Sequence, residues 1–259
     1  MKQRAFTLIE VMVVMAIISI LAGMLVPSVW KFWESEEIAT TRQRIREIKT
    51  AMIGNSNLFQ DGRRSDYGFV GVYGDLPFSN PSSCVIRALG NVSTLPGHYD
   101  ASHWRSFIRS SDGLDSFYLD AWGKNILCEN KLIIGGRLVG LTVVSYAPSG
   151  EKIEETITED DVTPTQKIIG NNPTTNEGLK LSIEPDYGGS FPKIETLCLP
   201  IRSFSNYTTQ LLYKLPIGRI SITMKGYDTS SCDNPLRENS FILNINDRSR
   251  VIQLPDLRL

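Results

Sequence analysis

The first sixty residues carry a long apolar run followed by an amphipathic stretch. Between residues 6 and 30 the only ionisable residue is Glu10. At about 1.5 Å per residue, a helix of this length crosses the roughly 30 Å hydrocarbon core of a bilayer. We predict a transmembrane helix over residues 6–33 and its amphipathic continuation over residues 34–60, ending near Phe59. Apolar residues of the second part recur on one helical face and are expected to pack on a globular domain: Ile38, Ile45, Ile48, Met52 and Phe59.

The flanks of the apolar run indicate its orientation. Lys2 and Arg4 precede it, which favours a cytoplasmic N-terminus, and Trp30 and Trp33 mark the opposite interface. Everything after Trp33 is then expected outside the cytoplasm, as in a single-pass protein of the inner membrane. Two simpler alternatives are a plain signal anchor of an unrelated bitopic protein and a cleaved secretory signal, although the latter has an apolar region of only about 7–15 residues.

Residues 61–150 are predicted to form a globular core. Glycines alternate with aromatic residues over residues 67–77, which predicts a loop and not a phosphate cradle, because the segment neither follows a strand nor opens a helix. Two β-branched runs flank Gly135-Gly136 and predict a hairpin, with strands at 132–134 and 138–146.

Residues 151–259 are predicted to form a β-rich extension without a helix. Residues 156–177 are polar and predict a long loop or linker. Strands are expected at four later runs, the last two joined by residues 246–249: 179–183, 217–224, 241–245 and 251–254. The fold class that follows is α+β, with a long N-terminal helix packed on an antiparallel β-sheet.

Charge gives little reason to expect a nucleic-acid partner. Lys+Arg number 27 against 28 Asp+Glu, so any electrostatic signal must be local. A basic cluster is formed by Arg42, Arg44 and Arg46. These residues lie away from the apolar stripe of the predicted helix, on faces that also carry Glu47. Mixed charge of this kind is typical of a solvated face, and less so of a nucleic-acid or lipid patch.

The four cysteines do not predict a metal site. Cys84, Cys128, Cys198 and Cys232 are widely spaced, and the chain has two histidines. Outside the cytoplasm an even number permits two disulfides in any of three connectivities. Buried free thiols are the alternative.

Catalytic chemistry is not expected. His98 and His103 flank Asp100 on a loop-like segment, without a nucleophile in a known elbow beside them. Glycoside hydrolysis requires a pair of carboxyl groups, and no sequence feature singles out one pair among the 28 Asp and Glu residues. We therefore predict a protein that is not an enzyme, with no cofactor.

The N-terminus resembles the prepilin signature of the type IV pilin and type II secretion pseudopilin superfamily. A basic leader, residues 1–5, ends in Ala5 and is followed by Phe6-Thr7-Leu8-Ile9-Glu10. The resemblance implies that a membrane peptidase cuts between Ala5 and Phe6, that Phe6 becomes N-methylated, and that Glu10 meets the amino terminus of a neighbouring subunit. The family normally has glycine where this chain has Ala5, so slower cutting is expected. Pro27 matches a common family proline, which bends or locally melts the helix.

The core is similar to the major pseudopilin of type II secretion systems. The similarity lies in the turn Asp120-Ala121-Trp122-Gly123 and in the later run from Ser145-Tyr146 to Gly150. In that family the closing loop often carries an aspartate that helps to hold calcium, and Ser149 stands there in this chain. Asp112, Asp115 and Asp120 could supply oxygen ligands, but exposed turns use the same residues, and no metal is assigned.

These features predict a minor pilin or pseudopilin, first anchored in the inner membrane and then assembled into a periplasmic or surface filament. The large extension favours a minor subunit over the shaft subunit. Implied partners are other pilin subunits, a prepilin peptidase, an inner-membrane platform protein and an assembly ATPase. The alternatives are a filament-displayed adhesin or substrate-binding module, and a static bitopic envelope protein. The sequence does not decide between secretion and pilus systems.

Overall fold

A computed structural model describes most of the chain. The described residues are 8–60, 63–80, 83–108, 116–171, 178–185, 194–195, 199–200, 208–227, 231–233, 235–245 and 251–254.

One long helix dominates the N-terminal part. Helix α1 spans Leu8–Ile53, 46 residues, and is therefore about 70 Å long. It passes through Pro27 without a break, which leaves bending and not melting as the prediction for that position. The amphipathic continuation predicted from the sequence is confirmed in kind, because Ile45, Ile48 and Met52 are fully buried.

The helix ends six residues earlier than the predicted end near Phe59. Gly54 has a positive φ of 77° and donates its N–H to the Thr50 carbonyl at 2.7 Å, which closes the last turn. A Cβ at Gly54 would lie 2.3 Å from the Asp66 carbonyl oxygen, so the chain can turn here only with glycine. Phe59 instead lies in strand β1, Phe59–Gln60, which pairs with β2, Arg63–Arg64.

The glycine-aromatic segment contains one turn of helix where a loop was predicted. Helix α2 spans Val70–Tyr73 and is closed by Gly74, whose φ is 84°. The turn forms because Phe69 and Tyr73 then face the same buried cluster as Tyr99, with ring centroids 4.5–5.2 Å apart. Burial, reinforced by the charge of Asp100, raises the pKa of Tyr73 to about 12.

Short elements connect α2 to the main sheet. Strands β3, Phe78–Asn80, and β4, Ser83–Cys84, pair with each other, and three 3-10 helices follow at Ile86–Leu89, Val92–Thr94 and Ala101–His103.

The main sheet has three antiparallel strands in the order β5–β6–β7. They span Leu127–Ile134, Arg137–Tyr146 and Lys152–Ile157. The predicted hairpin is confirmed, since Ile134 pairs with Arg137 across Gly135 and Gly136. Strand β7 lies beyond residue 150, so the sheet continues past the predicted boundary of the core. Helix α1 packs on β6 and β7, and their buried side chains form the first hydrophobic core.

The polar stretch after residue 156 is structured, and the loop or linker predicted there is wrong over the described residues. Strand β7 continues to Ile157, helix α3 spans Glu159–Val162, and β8 spans Thr165–Asn171. The polar residues of α3 cap it: Thr158 and Asp161 form a reciprocal capping box. Its Val162 is fully buried. The expectation of an extension without a helix is corrected by α3, and residues 172–177 lie outside the described part.

The remaining strands form two further sheets. One is antiparallel and has the order β10–β9–β13–β14, with β11 also pairing with β9. The other has the order β12–β8–β15, with β15 parallel to β8. The bounds are Gly178–Pro185 for β9, Ile194–Glu195 for β10, Leu199–Pro200 for β11, Thr208–Lys214 for β12, Gly218–Tyr227 for β13, Pro235–Ile245 for β14 and Val251–Leu254 for β15.

The four predicted strands of the extension are confirmed as β9, β13, β14 and β15. Strands β8 and β12 were not predicted, and the connection at residues 246–249 lies outside the described residues. A second hydrophobic core lies on the β9–β13–β14 sheet, around Leu181, Ile183, Ile220 and Ile222.

Backbone contacts join the sheet of β9, β13 and β14, which we call the second sheet, to the first core. Ile217, just before β13, belongs to the first core and donates its N–H to the Val162 carbonyl at 2.9 Å. Gly218 then passes against Gly71, where an added Cβ would lie 2.8 Å from the Gly71 Cα. Glycine at both positions is what lets the two backbones approach this closely.

The structure selects among the cysteine alternatives. Cys84 and Cys128 form a disulfide that links β4 to β5, with Cα atoms 6.2 Å apart. Cys232 is also disulfide-bonded. None of the described cysteines is a free thiol. Disulfides are typical of proteins that fold outside the cytoplasm.

Candidate functional site

The N-terminal half of α1 is a projecting apolar surface. Every described side chain from residue 8 to residue 33 is exposed, and Leu8 is 77% exposed. Among the described residues, this is the one helix long and apolar enough to cross a membrane. So much contiguous apolar area is unstable in water and has to be covered by lipid or by other helices.

Two tryptophans mark the end of the apolar surface. Trp30 and Trp33 lie one turn apart on α1, edge to face, with ring centroids separated by 6.1 Å. Glu34, Glu36 and Glu37 follow at once. Indole rings next to a run of acids are typical of a membrane–water boundary. The boundary near Trp33 stays a prediction.

The other half of α1 is docked on the globular part by polar contacts as well as by its apolar stripe. The Arg44 Nη1 donates to the carbonyl oxygens of Leu119 and Asp120 at 3.0 and 2.9 Å. Thr41 is fully buried, and its hydroxyl oxygen accepts the Ala121 N–H at 3.1 Å. The two side chains therefore bind the helix to the turn at residues 119–121.

Asp120 holds that turn in shape. Its Oδ1 accepts the backbone N–H groups of Trp122 and Lys124 at 3.0 and 2.8 Å, and its Oδ2 accepts the Ser145 hydroxyl at 2.7 Å. The carboxylate is buried and thus ties the turn to strand β6. The other two candidate calcium ligands, Asp112 and Asp115, lie outside the described residues.

Ion pairs align the docked half of α1 with β7 and the turn before it. Arg42 lies 3.6 Å from Glu151, while Arg46 and Lys49 lie 3.5 and 3.2 Å from Glu155. The pairs are partly exposed, so each contributes about 0–1 kcal/mol. Two of the three arginines of the basic cluster, Arg42 and Arg46, therefore face acids of the protein's own domain.

Sequence reasoning missed Thr41 and Arg44 as docking residues. Arg44 was placed among the solvated basic residues, and nothing in its spacing distinguishes it from Arg42. The turn at Asp120 was noticed as a motif, but its position against α1 depends on the tertiary fold.

In the segment that carries His98 and His103, Asp100 acts as a helix cap. The Asp100 carboxylate accepts the Ser102 N–H at 2.8 Å, and this cap begins the 3-10 helix Ala101–His103. Hydrogen bonds from the Ser102 backbone and side chain, followed by the charge of His103, lower the pKa of Asp100. Ser102 and Asp100 both contact the Nδ1 of His103, at 3.2 and 3.1 Å, whereas a catalytic relay uses opposite ring nitrogens. That the protein is not an enzyme stays a prediction.

The four residues predicted to direct processing and assembly all belong to the N-terminal region. Ala5 and Phe6 lie outside the described residues, Glu10 lies in the first turns of α1 with an exposed side chain, and Pro27 lies within α1.

Comparison with known protein families identifies this region. A family model described as the prokaryotic N-terminal methylation motif matches residues 1–26. The chain has a type IV pilin or pseudopilin signature. This pilin-type N-terminus covers the leader, the predicted cut site and Glu10, and it ends just before Pro27. No curated protein matches the sequence significantly.

The signature and the structure agree on the coarse function. A pilin-type N-terminus implies processing by a prepilin peptidase and assembly with other pilins. The same features fit membrane anchoring with the C-terminal domain outside.

Proposed function

We propose that the protein is a minor pilin or pseudopilin, extracted from the inner membrane into a periplasmic or surface filament by the N-terminal half of α1. The observation that carries the proposal is the division of α1 at Trp33. One half is docked on the domain, and the other carries the pilin-type signature on a fully exposed apolar surface. A helix of this kind moves from lipid to a bundle of like helices without exposing its apolar surface to water.

The assembly step proposed here depends on Glu10. An ionised carboxylate in an apolar helix is costly, by about 2.5–3.5 kcal/mol near the bilayer centre. Cutting between Ala5 and Phe6 creates a new amino terminus on Phe6, and its cation in a neighbouring subunit is a suitable partner for Glu10. The charge pair would fix the axial register of one helix against the next.

The size of the globular part supports a minor subunit. The second and third sheets, β8 to β15, add a large region beyond the sheet that packs on α1. Bulk of this kind crowds a repeating helical array, so a subunit of this size fits a filament tip or occasional positions better than the shaft. The inner-membrane platform protein and the assembly ATPase belong to this proposal as partners, and no catalytic activity does.

The test combines N-terminal mass analysis with filament counting. Protein made together with its peptidase should begin at N-methyl-Phe6, and Glu10→Ala should be cut normally but enter filaments poorly. Glu36→Ala is the matched control, because Glu36 is an exposed acid on the same helix beyond the membrane boundary. An intact Met1 in the filament, or normal incorporation of Glu10→Ala, would refute the proposal.

A further inference from the structure

A recess lies where strand β4 reaches the edge of the main sheet, beside the Cys84–Cys128 disulfide. Its volume is about 490 Å³, within the usual range for binding sites. Strands β4 and β5 and the residues next to them supply its lining. The lining residues with a part in binding are Ser83, Arg87, Tyr118, Asn125, Leu127 and Glu129. We call it the disulfide recess.

The disulfide recess opens onto a sheet edge. Among the described residues, β5 pairs with β6 on one side and with no strand on its outer side. Strand β4 approaches that outer side at the disulfide, where the two Cα atoms are 6.2 Å apart. Beyond a bulge at Asn130, whose φ is 47°, the side chains of Leu132, Ile133 and Ile134 are 39–43% exposed. A strand edge with exposed apolar side chains is suited to pairing with an extended segment of another chain.

Arg87 supplies positive charge to the recess. Its side chain is exposed, and its guanidinium lies 4.0 Å from the centre of the Tyr118 ring. Within the described part of the chain, the side chain makes this ring contact and no ion pair. Stacking on the ring restricts the guanidinium plane, while the N–H groups at its rim can still donate to a carboxylate. Arg87 is therefore placed to bind an acidic group that enters the recess.

The acid in the described lining is engaged by other groups. Glu129 accepts the Tyr146 hydroxyl at 2.9 Å and lies 3.4 Å from the Lys152 ammonium group. These contacts hold its carboxylate across the sheet, towards β6 and β7. Glu129 therefore lowers the positive potential of the recess without binding Arg87.

We propose that the disulfide recess and the outer edge of β5 bind an extended segment of a partner protein, one that carries an aspartate or glutamate among apolar residues. The acidic side chain pairs with Arg87, and Ser83 and Asn125 offer it further polar groups. The backbone of the segment pairs with β5 beyond the bulge, and its apolar side chains cover Leu127 and residues 132–134. This interaction goes beyond filament assembly and does not depend on it.

The length of β5 sets the length of the bound segment. The strand has eight residues, Leu127–Ile134, and at about 3.3 Å per residue it is about 26 Å long. A partner segment of about eight residues therefore covers both the recess and the apolar edge.

Other ligands fit this surface less well. A nucleic-acid base stacks on an aromatic ring, but Arg87 covers a face of the Tyr118 ring, and the backbone of a nucleic acid needs an extended basic surface. A second copy of this chain offers the same strand edge, but its Glu129 is held by Lys152 and so is not available to Arg87.

The test measures binding of two peptides to the full-length protein in detergent micelles by calorimetry. Both are eight residues long, alternate valine and threonine, and have blocked ends. One has glutamate at a central position and the other has glutamine there, so they differ by one charge. The glutamate peptide should bind about tenfold more tightly through its charge-assisted pair, and added salt should reduce the difference.

Variants of the protein locate the two halves of the interaction. Arg87→Gln should remove the preference for the glutamate peptide. Arg105→Gln is the matched control and should keep the preference, because Arg105 is also exposed and lies 5.8 Å from the Phe107 ring, but outside the recess. Leu132→Ser, at an exposed position on the edge, should weaken both peptides about fivefold through loss of apolar contact.

Three results would overturn the proposal. They are equal binding of the two peptides by the unmodified protein, a glutamate preference that survives Arg87→Gln, and a dimer in light scattering that the peptides do not dissociate. The dimer would show that a second copy occupies the edge. Circular dichroism of each variant checks folding. Since filament incorporation is scored separately, failure here leaves the assembly proposal standing.

Discussion

At the scale of residues, the position of α1 depends on the buried carboxylate of Asp120. It accepts hydrogen bonds from the N–H groups of Trp122 and Lys124 and from the Ser145 hydroxyl. These hydrogen bonds shape the turn at residues 119–121, and the Leu119 and Asp120 carbonyls of that turn accept hydrogen bonds from Arg44. A single side chain in the globular core thus helps to orient the long N-terminal helix.

Replacing this carboxylate should destabilise the domain. In Asp120→Ala two backbone N–H groups and one hydroxyl lose their acceptor in a buried site, which should cost about 2–4 kcal/mol in the free energy of unfolding. Asp120→Asn is the matched control, because its amide oxygen still accepts the N–H groups and its NH₂ can donate to Ser145. Urea unfolding in micelles measures the difference, and equal stability of the two variants would contradict the assigned role.

Tyr99 should make the domain sensitive to alkali. Its hydroxyl donates towards the Asp75 Oδ1 at 2.9 Å, and burial, followed by the charge of Asp75, raises the pKa of Tyr99 far above its ordinary value. A pKa that is higher in the folded state means that this stabilisation is complete below the unfolded value of about 10. It is lost as the pH rises further, at about 1.4 kcal/mol per pH unit.

The measurement is the free energy of unfolding from neutral pH to strongly alkaline pH. Tyr99→Phe should flatten the alkaline decline and lower the neutral stability by about 1 kcal/mol through loss of the hydrogen bond. Tyr118→Phe, at a half-buried tyrosine elsewhere in the core, controls for the loss of a phenol. Parallel alkaline curves for Tyr99→Phe and the unmodified protein would disprove the assignment.

At the scale of elements, α1 is one continuous helix with two environments. Its C-terminal half contributes Ile45, Ile48 and Met52 to the core, and its N-terminal half contributes nothing to the core that the structure describes. In the function proposed here, the same element therefore serves folding at one end and assembly at the other.

Two isoleucine variants should separate these roles. Ile48→Ala removes a fully buried side chain and should cost about 2–5 kcal/mol of unfolding free energy. Ile18→Ala lies on the exposed half, and should change domain stability by less than about 0.5 kcal/mol while reducing filament incorporation. Urea unfolding and filament counts on both proteins check this, and a loss of domain stability in Ile18→Ala would show that the two halves are not independent.

At the scale of the whole molecule, the segment before strand β13 joins the two hydrophobic cores. Ile217 reaches into the first core, Gly218 passes against Gly71, and β13 then continues into the second core. A recess lined by Gly71 and Arg219, among others, lies beside this contact, so its shape depends on how the two parts pack.

Gly218→Ala should weaken this contact. Its Cβ would lie 2.8 Å from the Gly71 Cα, in backbone that cannot easily move, and its φ of 122° is unfavourable for alanine. The expected cost is about 3 kcal/mol, with faster proteolysis between the two parts. Gly150→Ala is the control, because its φ is 88° with open space around it, and it should cost about 1 kcal/mol. Similar losses in both variants would show that backbone strain, and not the close approach, explains the effect.

The sequence by itself determined the features that arise from local pattern. The apolar run, the tryptophans at its end, the pilin-type residues and the hairpin at Gly135-Gly136 each depend on neighbours a few positions away. Bilayer thickness, helical period and turn geometry act on such neighbours directly. The strands of the extension with alternating apolar residues were predictable for the same reason.

Only the tertiary structure decided what depends on distant partners. The helix ends at Ile53 because Gly54 meets Asp66 and Gly68, and the polar stretch after Thr156 folds because its few apolar residues reach the first core. Arg44 becomes a docking residue through hydrogen bonds to a turn some 75 residues further along the chain, and Arg105 and Arg219 come to line the same recess. Propensity and periodicity contain no information on such pairs, since the free energy that fixes them comes from packing after the chain has folded.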